Sequence, residues 1–319
     1  MFKTCGTRAV SSLILCFLLT GCQKAADEPK PPIRIRIAAA EGVFPDQRVQ
    51  FLSRALQEHF PVQVERIFSN LPGAARPLEE GEVEMAVVPS NTAYLAYTQG
   101  WGDLPRPHSR LRGIAALNTL PLQLVTTEAS GIRNWRDIRG RRVAIGPAGS
   151  TTEVTVKMTL EGLGLSLADI RRQWISNNEI VAKFRAGNVD AVFLRAYNAS
   201  PLTEKVMEVP GARMISISRK EIEMIRSRYP FLHSTLIPAG MYGNRPGIAT
   251  VGVDTVMVCR SDLPEELVYW ITRALVDSMT AAVRTTNPVH QPDPDQVYAT
   301  PIPLHPGAAR YYRERELFQ

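Results

Sequence analysis

Cysteine is scarce in this chain: Cys5, Cys16, Cys22 and Cys259 are the only four in 319 residues. No two of them stand at metal-ligand spacing. His59, His108, His233, His290 and His305 show no pairing at helical or finger intervals, so a structural zinc site is not expected. Charge of one sign is nowhere concentrated. The 37 Lys and Arg against 31 Asp and Glu give a formal charge of +6, scattered without a basic block or an aromatic-interleaved basic stretch. Nucleic acid is therefore not an expected partner. Gly146-Pro147-Ala148-Gly149-Ser150 lacks both the nucleophile-elbow spacing and the Lys of a phosphate-binding loop. No dinucleotide fingerprint follows the first strand. With no catalytic constellation, metal cluster or cofactor motif, the chain does not read as an enzyme.

What is present is ordinary globular material, 45% hydrophobic and 21% charged, enough for about two domains. Lys3 and Arg8 precede an apolar stretch, residues 9–20, of about twelve residues. That is short for a membrane span and suits a signal-peptide core. It ends in Leu19-Thr20-Gly21-Cys22, which resembles the bacterial lipobox. The resemblance implies a signal peptide over residues 1–21 and a lipid on Cys22. A tether over residues 22–32 follows, with three prolines and too few apolar residues to join a core. Cys259 is then the one thiol left in the folded part. Its run Val256-Met257-Val258-Cys259 reads as a buried strand. Gln23 is not the acidic residue that retains lipoproteins at an inner membrane. The expected location is thus a lipid anchor facing the periplasm, with the outer membrane favoured, or the cell surface.

Ile33-Arg34-Ile35-Arg36-Ile37 alternates as a strand, and Val49, Leu52, Ala55 and Leu56 share a helical face after Pro45. Val62 to Ile67 alternates again. Met85 to Val88 is a short apolar run, and Ser90 is placed to cap a helix through Ala93, Tyr94 and Tyr97. This rhythm predicts a parallel α/β sheet. Residues 111–116 and 122–126 read as two strands with a turn near Asn118. The rhythm then restarts with strands at 142–145 and 190–194 and a helix from Thr151. A strand over 251–259 leads to a long helix after Pro264. No internal repeat is apparent. Two α/β blocks predict two lobes: residues 33–122 with 247–319, and residues 123–246. The crossings fall at 122–126 and within 241–251.

The candidate site lies at two strand-to-helix junctions. Gly149, Ser150, Thr151 and Thr152 open a helix after a Gly-rich turn, where free N–H groups and hydroxyls either bind a carboxylate or simply cap the helix. Ser90 and Asn91 make a similar junction in the first block. In open α/β sheets such junctions face a crevice.

Further residues resemble a family. Pro303-Leu304-His305-Pro306-Gly307-Ala308 with Arg310-Tyr311-Tyr312-Arg313-Glu314 is similar to the C-terminal signature of the TAXI substrate-binding proteins of TRAP transporters. The run from Asp137 to Gly146, Tyr229-Pro230, Ile237-Pro238-Ala239-Gly240-Met241-Tyr242 and Leu263-Pro264 match in order. The resemblance implies an α/β, two-lobed periplasmic-binding-protein fold of type II with two crossover hinge segments. It implies a receptor that captures a small organic acid or amino acid, glutamate- or dicarboxylate-like, and delivers it to a TRAP-type permease. No covalent chemistry is implied. An alternative is the same fold serving a signalling protein or another transporter. Two departures concern the ligand. Glu41 and a lone Gly42 stand where the family has a Gly-rich first loop and a Tyr pair, and an acid at a pocket mouth repels an anion. Arg195-Ala196-Tyr197-Asn198 replaces a small turn. Arg195 is either a carboxylate clamp or a surface ion pair, and Tyr197 stands beside it.

Overall fold

Isoleucines alternating with arginines give β1 (Ile33–Ala39) one wholly apolar face, and Ile35 and Ile37 are fully buried. The computed structural model describes residues 32–39, 46–68, 74–102, 104–196, 199–243, 247–283 and 297–316. Within them the chain runs α1 (Asp46–Gln57), β2 (Val62–Phe68), α2 (Ala75–Glu80), β3 (Met85–Pro89), α3 (Ser90–Gln99) and β4 (Leu111–Thr127). It continues with β5 (Arg142–Ala144), α4 (Thr151–Gly162), β6 (Arg171–Gln173), α5 (Ile180–Arg185), β7 (Ala191–Arg195), α6 (Pro201–Met207) and β8 (Ala212–Met214). It ends with α7 (Arg219–Arg228), β9 (Leu232–Ile237), β10 (Ile248–Arg260), α8 (Glu265–Val283) and α9 (Pro306–Glu314). No described helix is long and apolar enough to cross a membrane.

The ten strands are hydrogen-bonded in one path, β2-β1-β3-β10-β4-β7-β5-β6, with β8 on β4 and β9 on β10. The path is two sets of five that share β4: β2-β1-β3-β10-β4 and β6-β5-β7-β4-β8. Between Pro121 and Leu122, β4 passes from pairing with β10 to pairing with β7. Each set is covered on both faces, so its central strands are apolar throughout; all five residues of β3 are buried. Ile37, Leu52, Met257, Leu267 and Tyr312 fill one face of the first set, and Ala86, Val88, Ala93 and Val258 the other. In the second set Val143, Val156 and Phe193 oppose Ala144, Phe184 and Val192.

Two expectations are corrected. No turn occurs at Asn118: residues 111–127 form one 17-residue strand. Asn118 stays in the sheet because its side chain bonds the Thr255 hydroxyl across to β10, while Thr119 donates to Asp254 at 2.7 Å. The register slips beside this point, where Thr255 faces Asn118 but Val256 faces Ala116. A bulge absorbs the polar residues that sequence patterning reads as a break.

The second correction concerns repetition. Ile37 pairs with Met85 and Arg36 with Glu65 in the first set; Val143 pairs with Ala191 and Arg142 with Arg171 in the second. The shift is 106 throughout (143 − 37, 191 − 85, 142 − 36, 171 − 65). Side chains repeat with it. Arg36 gives Glu84 its backbone N–H (2.8 Å), Nε (3.0 Å) and Nη2 (2.8 Å). Arg142 gives Asp190 the same three donors at 2.8, 3.2 and 2.6 Å. Each clasp joins the first strand of its set to the residue before the third. Burial would raise the Glu84 carboxyl, but Arg36 holds it below the ordinary range, and Arg142 does the same for Asp190.

Candidate functional site

Both junctions form where parallel strands run out into helices. β3 ends at Pro89, which is the N-cap of α3, and Ser90 is the first helical residue, with no side-chain capping bond. Ser90 is therefore not the cap expected. Its Oγ and the Thr92 Oγ1 are buried and form no hydrogen bond among the described residues. Buried hydroxyls ordinarily have partners, so two such hydroxyls on one turn make this junction a candidate site.

After β5 the chain turns at Gly146, whose φ is +84°. A Cβ there would stand 3.0 Å from both Ser150 Oγ and Thr152 Cβ, so the turn requires glycine. Ser150 caps α4 by accepting from the Glu153 N–H at 3.2 Å. The Gly149 N–H goes to the Glu153 carboxylate at 2.7 Å, and Trp174 donates to its other oxygen at 2.9 Å. Gly149, read in the sequence as a ligand donor, is thus engaged by the chain's own acid on the exposed side of the turn. Thr152 is half-buried and Thr151 buried.

The inner side of α4 carries Thr151, Thr155 and Thr159, all buried. Asn91 donates from Nδ2 to Thr155 Oγ1 at 2.9 Å, and Thr155 donates to the Thr151 carbonyl at 2.7 Å. At the end of β7 the Arg195 Nη2 donates to the Thr151 hydroxyl at 2.5 Å. Ser90, Asn91, Thr151 and Arg195 are thereby brought to one region, while Gly149 and Ser150 are engaged with Glu153. Tyr197, Glu41 and Cys22 lie outside the described residues.

Sequence reading missed Thr92 and Thr155. The signal for the latter was legible, because threonine at 151, 155 and 159 makes a polar stripe with helical period. It also missed the network on the shared strands, where the nearly buried Asp254 accepts from Thr119 and lies 2.5 Å from His233 Nε2 of β9. No group of three or more His, Cys, Asp or Glu among the described residues could hold a metal ion. The C-terminal signature is packing. His305 Nδ1 accepts from the Gly307 N–H at 3.2 Å, and the buried Tyr312 hydroxyl donates to the Ile114 carbonyl at 2.8 Å.

Two five-stranded sets joined by the long shared strand β4, with helix starts meeting between them, define the two-lobed periplasmic-binding-protein fold. Two solved structures superpose on most of the chain. XAC2383 from Xanthomonas citri, bound to chloride ion, matches with a TM-score of 0.53 at 12% identity, over 89% of this chain and 99% of that one. A putative sulfonate ABC transporter periplasmic sulfonate-binding protein, SsuA from Methylobacillus flagellatus, matches with a TM-score of 0.53 at 15% identity, over 80% and 70%. Residues 70–315 match the NMT1-like family, and the chain belongs to it.

Proposed function

We propose that this protein is an extracytoplasmic solute receptor that captures a small organic acid or amino acid between its lobes. The observation that carries the reading is the meeting of the two helix starts through Asn91 and Thr155. The unpartnered Ser90 and Thr92 hydroxyls stand on one side and the Arg195 guanidinium on the other. Oriented neutral donors and one cation suit a carboxylate, and excluding water strengthens each bond. The fold and the sulfonate-binding protein sharing it support capture and release without covalent chemistry.

The finer reading is that Ser90, Asn91, Thr151, Thr152, Arg195 and Tyr197 contact a glutamate- or dicarboxylate-like ligand. Lobes of residues 33–122 with 247–319, and of 123–246, close over it. Cys22 carries a lipid, and a TRAP-type permease accepts the ligand. The resemblance of the motifs around His305 and Gly146 supports that partner. Thermal-shift measurement on the full chain with glutamate, dicarboxylates, alkanesulfonates and neutral sugars tests the reading, since a ligand selective for the native state raises the melting temperature. A shift with glutamate or a dicarboxylate is expected. Response to sulfonates or sugars alone would overturn the ligand class.

A further inference from the structure

The correspondence between the two five-stranded sets reaches the strands that flank them. Cys259 of β10 pairs with Met85, so Arg260 comes beside Glu84; Thr126 of β4 pairs with Ala191, so Thr127 comes beside Asp190. The next backbone bond repeats too, from the Ser261 N–H to the Arg110 carbonyl (2.7 Å) and from the Glu128 N–H to the Gly211 carbonyl (2.9 Å). Arg260 and Arg110 of the first set therefore correspond to Thr127 and Gly211 of the second.

The two arginines fill the space outside the first clasp. Arg260 Nη1 lies 3.6 Å from Glu84 Oε1 and donates to the Gly81 carbonyl at 3.3 Å. Arg110 Nη1 donates to the Glu79 carbonyl at 3.4 Å, and both guanidiniums reach Asp262. In the second set Gly187 repeats the left-handed turn of Gly81, and Asp190 repeats Glu84. Neither Thr127 nor Gly211 has a guanidinium to fill the corresponding space. Arg110 Nη1 stands 3.4 Å from the Cβ position of Gly81, whereas nothing stands within 4 Å of that of Gly187. What remains is a depression of about 700 Å³ whose lining includes Thr127, Arg142, Gly187, Asp190 and Val209. It lies at the far end of β4 from Leu122, which pairs with Arg195, and so is separate from the junctions of the candidate site.

The geometry points to a second binding site here, one that takes a guanidinium group from outside the chain between the Gly187 carbonyl and the Asp190 carboxylate. A planar fork matches these acceptors where an ammonium does not. Arg185 stands where the first set has Glu79, whose carboxylate accepts the Arg110 backbone N–H at 3.0 Å. The second depression is thus lined by Arg142 and Arg185, and it offers Asp190 to one added cation.

The test is an amide-detected NMR titration of the full chain in mild detergent, with methylguanidinium, methylammonium and a capped Gly-Arg-Gly peptide as probes. Methylguanidinium should move the Gly187 and Asp190 amides and saturate at about millimolar concentration, with methylammonium at least about tenfold weaker. Thr127→Arg restores the counterpart of Arg260, and should abolish the titration and raise the melting temperature. Ala129→Trp, at an exposed lining position, blocks the same space without entering the strand. A peptide binding tighter than methylguanidinium assigns the group to a partner's arginine, and equal affinities assign it to a small cation. Equal titration by methylammonium, or unchanged titration in both folded variants, would overturn the site.

Discussion

Asn91 and Thr155 share a 2.9 Å hydrogen bond that ties the first turn of α3 to the first turns of α4. Thr155 passes the link to the Thr151 backbone, and the Thr151 hydroxyl passes it to Arg195. The ends of β3, β5 and β7 are thus connected by one line of polar groups. Asn91, Thr151 and Thr155 are all buried. Groups removed from water in this way are costly to leave unpaired, so the line fixes the relative placement of three elements from the two strand sets.

Asn91→Ala should therefore destabilise the protein by about 1–3 kcal/mol, since it removes the donor to Thr155 Oγ1 and strands the Thr92 N–H that Asn91 Oδ1 accepts. A double-mutant cycle with Thr155→Val, read by urea unfolding, should give a coupling energy of at least about 0.5 kcal/mol. Additive single effects would mean that the bond contributes nothing as a pair.

Binding should depend on the cationic end of the same line. Thr151→Ala and Arg195→Ala are each expected to weaken a carboxylate ligand by about tenfold to hundredfold, the cost of one lost bond to a charged group. Calorimetry is the check, with the unfolding midpoint measured beside it. Wild-type affinity in both variants would move the ligand away from this junction.

Much of this architecture was legible, and the failures have physical causes. Alternation at Ile33, Ile35 and Ile37, and the run at 85–88, fixed the strands because burial on one or both faces leaves a period in the sequence. The centre of β4 was misread because Asn118, Thr119 and Pro121 are turn formers. What keeps them in a strand is a polar partner on β10, more than 130 residues away, which no local pattern reports. The internal correspondence was nearly erased. Arg36, Ala38, Gly81 and Val83 recur as Arg142, Ala144, Gly187 and Val189, with Glu84 replaced by Asp190. Of these, Arg36 and Arg142 make the clasps and Gly81 and Gly187 the left-handed turns, while most other core positions differ in size. At the candidate site, Ser90 does not cap α3 as its residue type suggests. The residue type suited a cap, but the structure uses it inside the helix with its hydroxyl unspent.

Acid should weaken the fold through two histidines. Burial pushes the imidazoles of His108 and His305 below the ordinary histidine value. Both are almost wholly shielded from solvent. The unfolded chain binds the protons more readily than the folded one, so the stability they contribute is present above about pH 6.5 and is lost as the pH falls below it. The slope is at most about 1.4 kcal/mol per pH unit for each group. Urea midpoints between pH 7.5 and 5 should fall, and His108→Gln should flatten part of the fall. A midpoint that rises on acidification would contradict the sign.

The proposed lipid anchor is Cys22. Replacing it with Ser should remove fatty-acid labelling and leave the precursor unprocessed, because the thiol is the only acceptor the lipobox-like Leu19-Thr20-Gly21-Cys22 offers. Labelling that persists in the Cys22→Ser protein would refute lipidation at this residue. Cys259 cannot substitute for it, since it is fully buried and its thiol is pushed far above the ordinary cysteine range by that burial.

Gly307 should prove intolerant of any side chain. It lies in the first turn of α9, where a Cβ would stand 2.2 Å from the Glu265 carbonyl oxygen and 2.8 Å from the Tyr269 nitrogen. Both atoms belong to the backbone of α8, so neither can swing away, and relief requires the two helices to separate. Separation would loosen Tyr311 and Tyr312, both fully buried, and stretch the bond from Tyr312 to the Ile114 carbonyl on β4. Gly307→Ala is therefore expected to cost about 1–3 kcal/mol, the range for overpacking, despite alanine's better helix propensity. An exposed control on the same helix, Arg313→Ala, should stay within about 0.5 kcal/mol. Thermal unfolding of both variants decides the matter. Equal stability would show that α8 and α9 can part without loss, and that the His305-Pro306-Gly307 sequence is not held by packing.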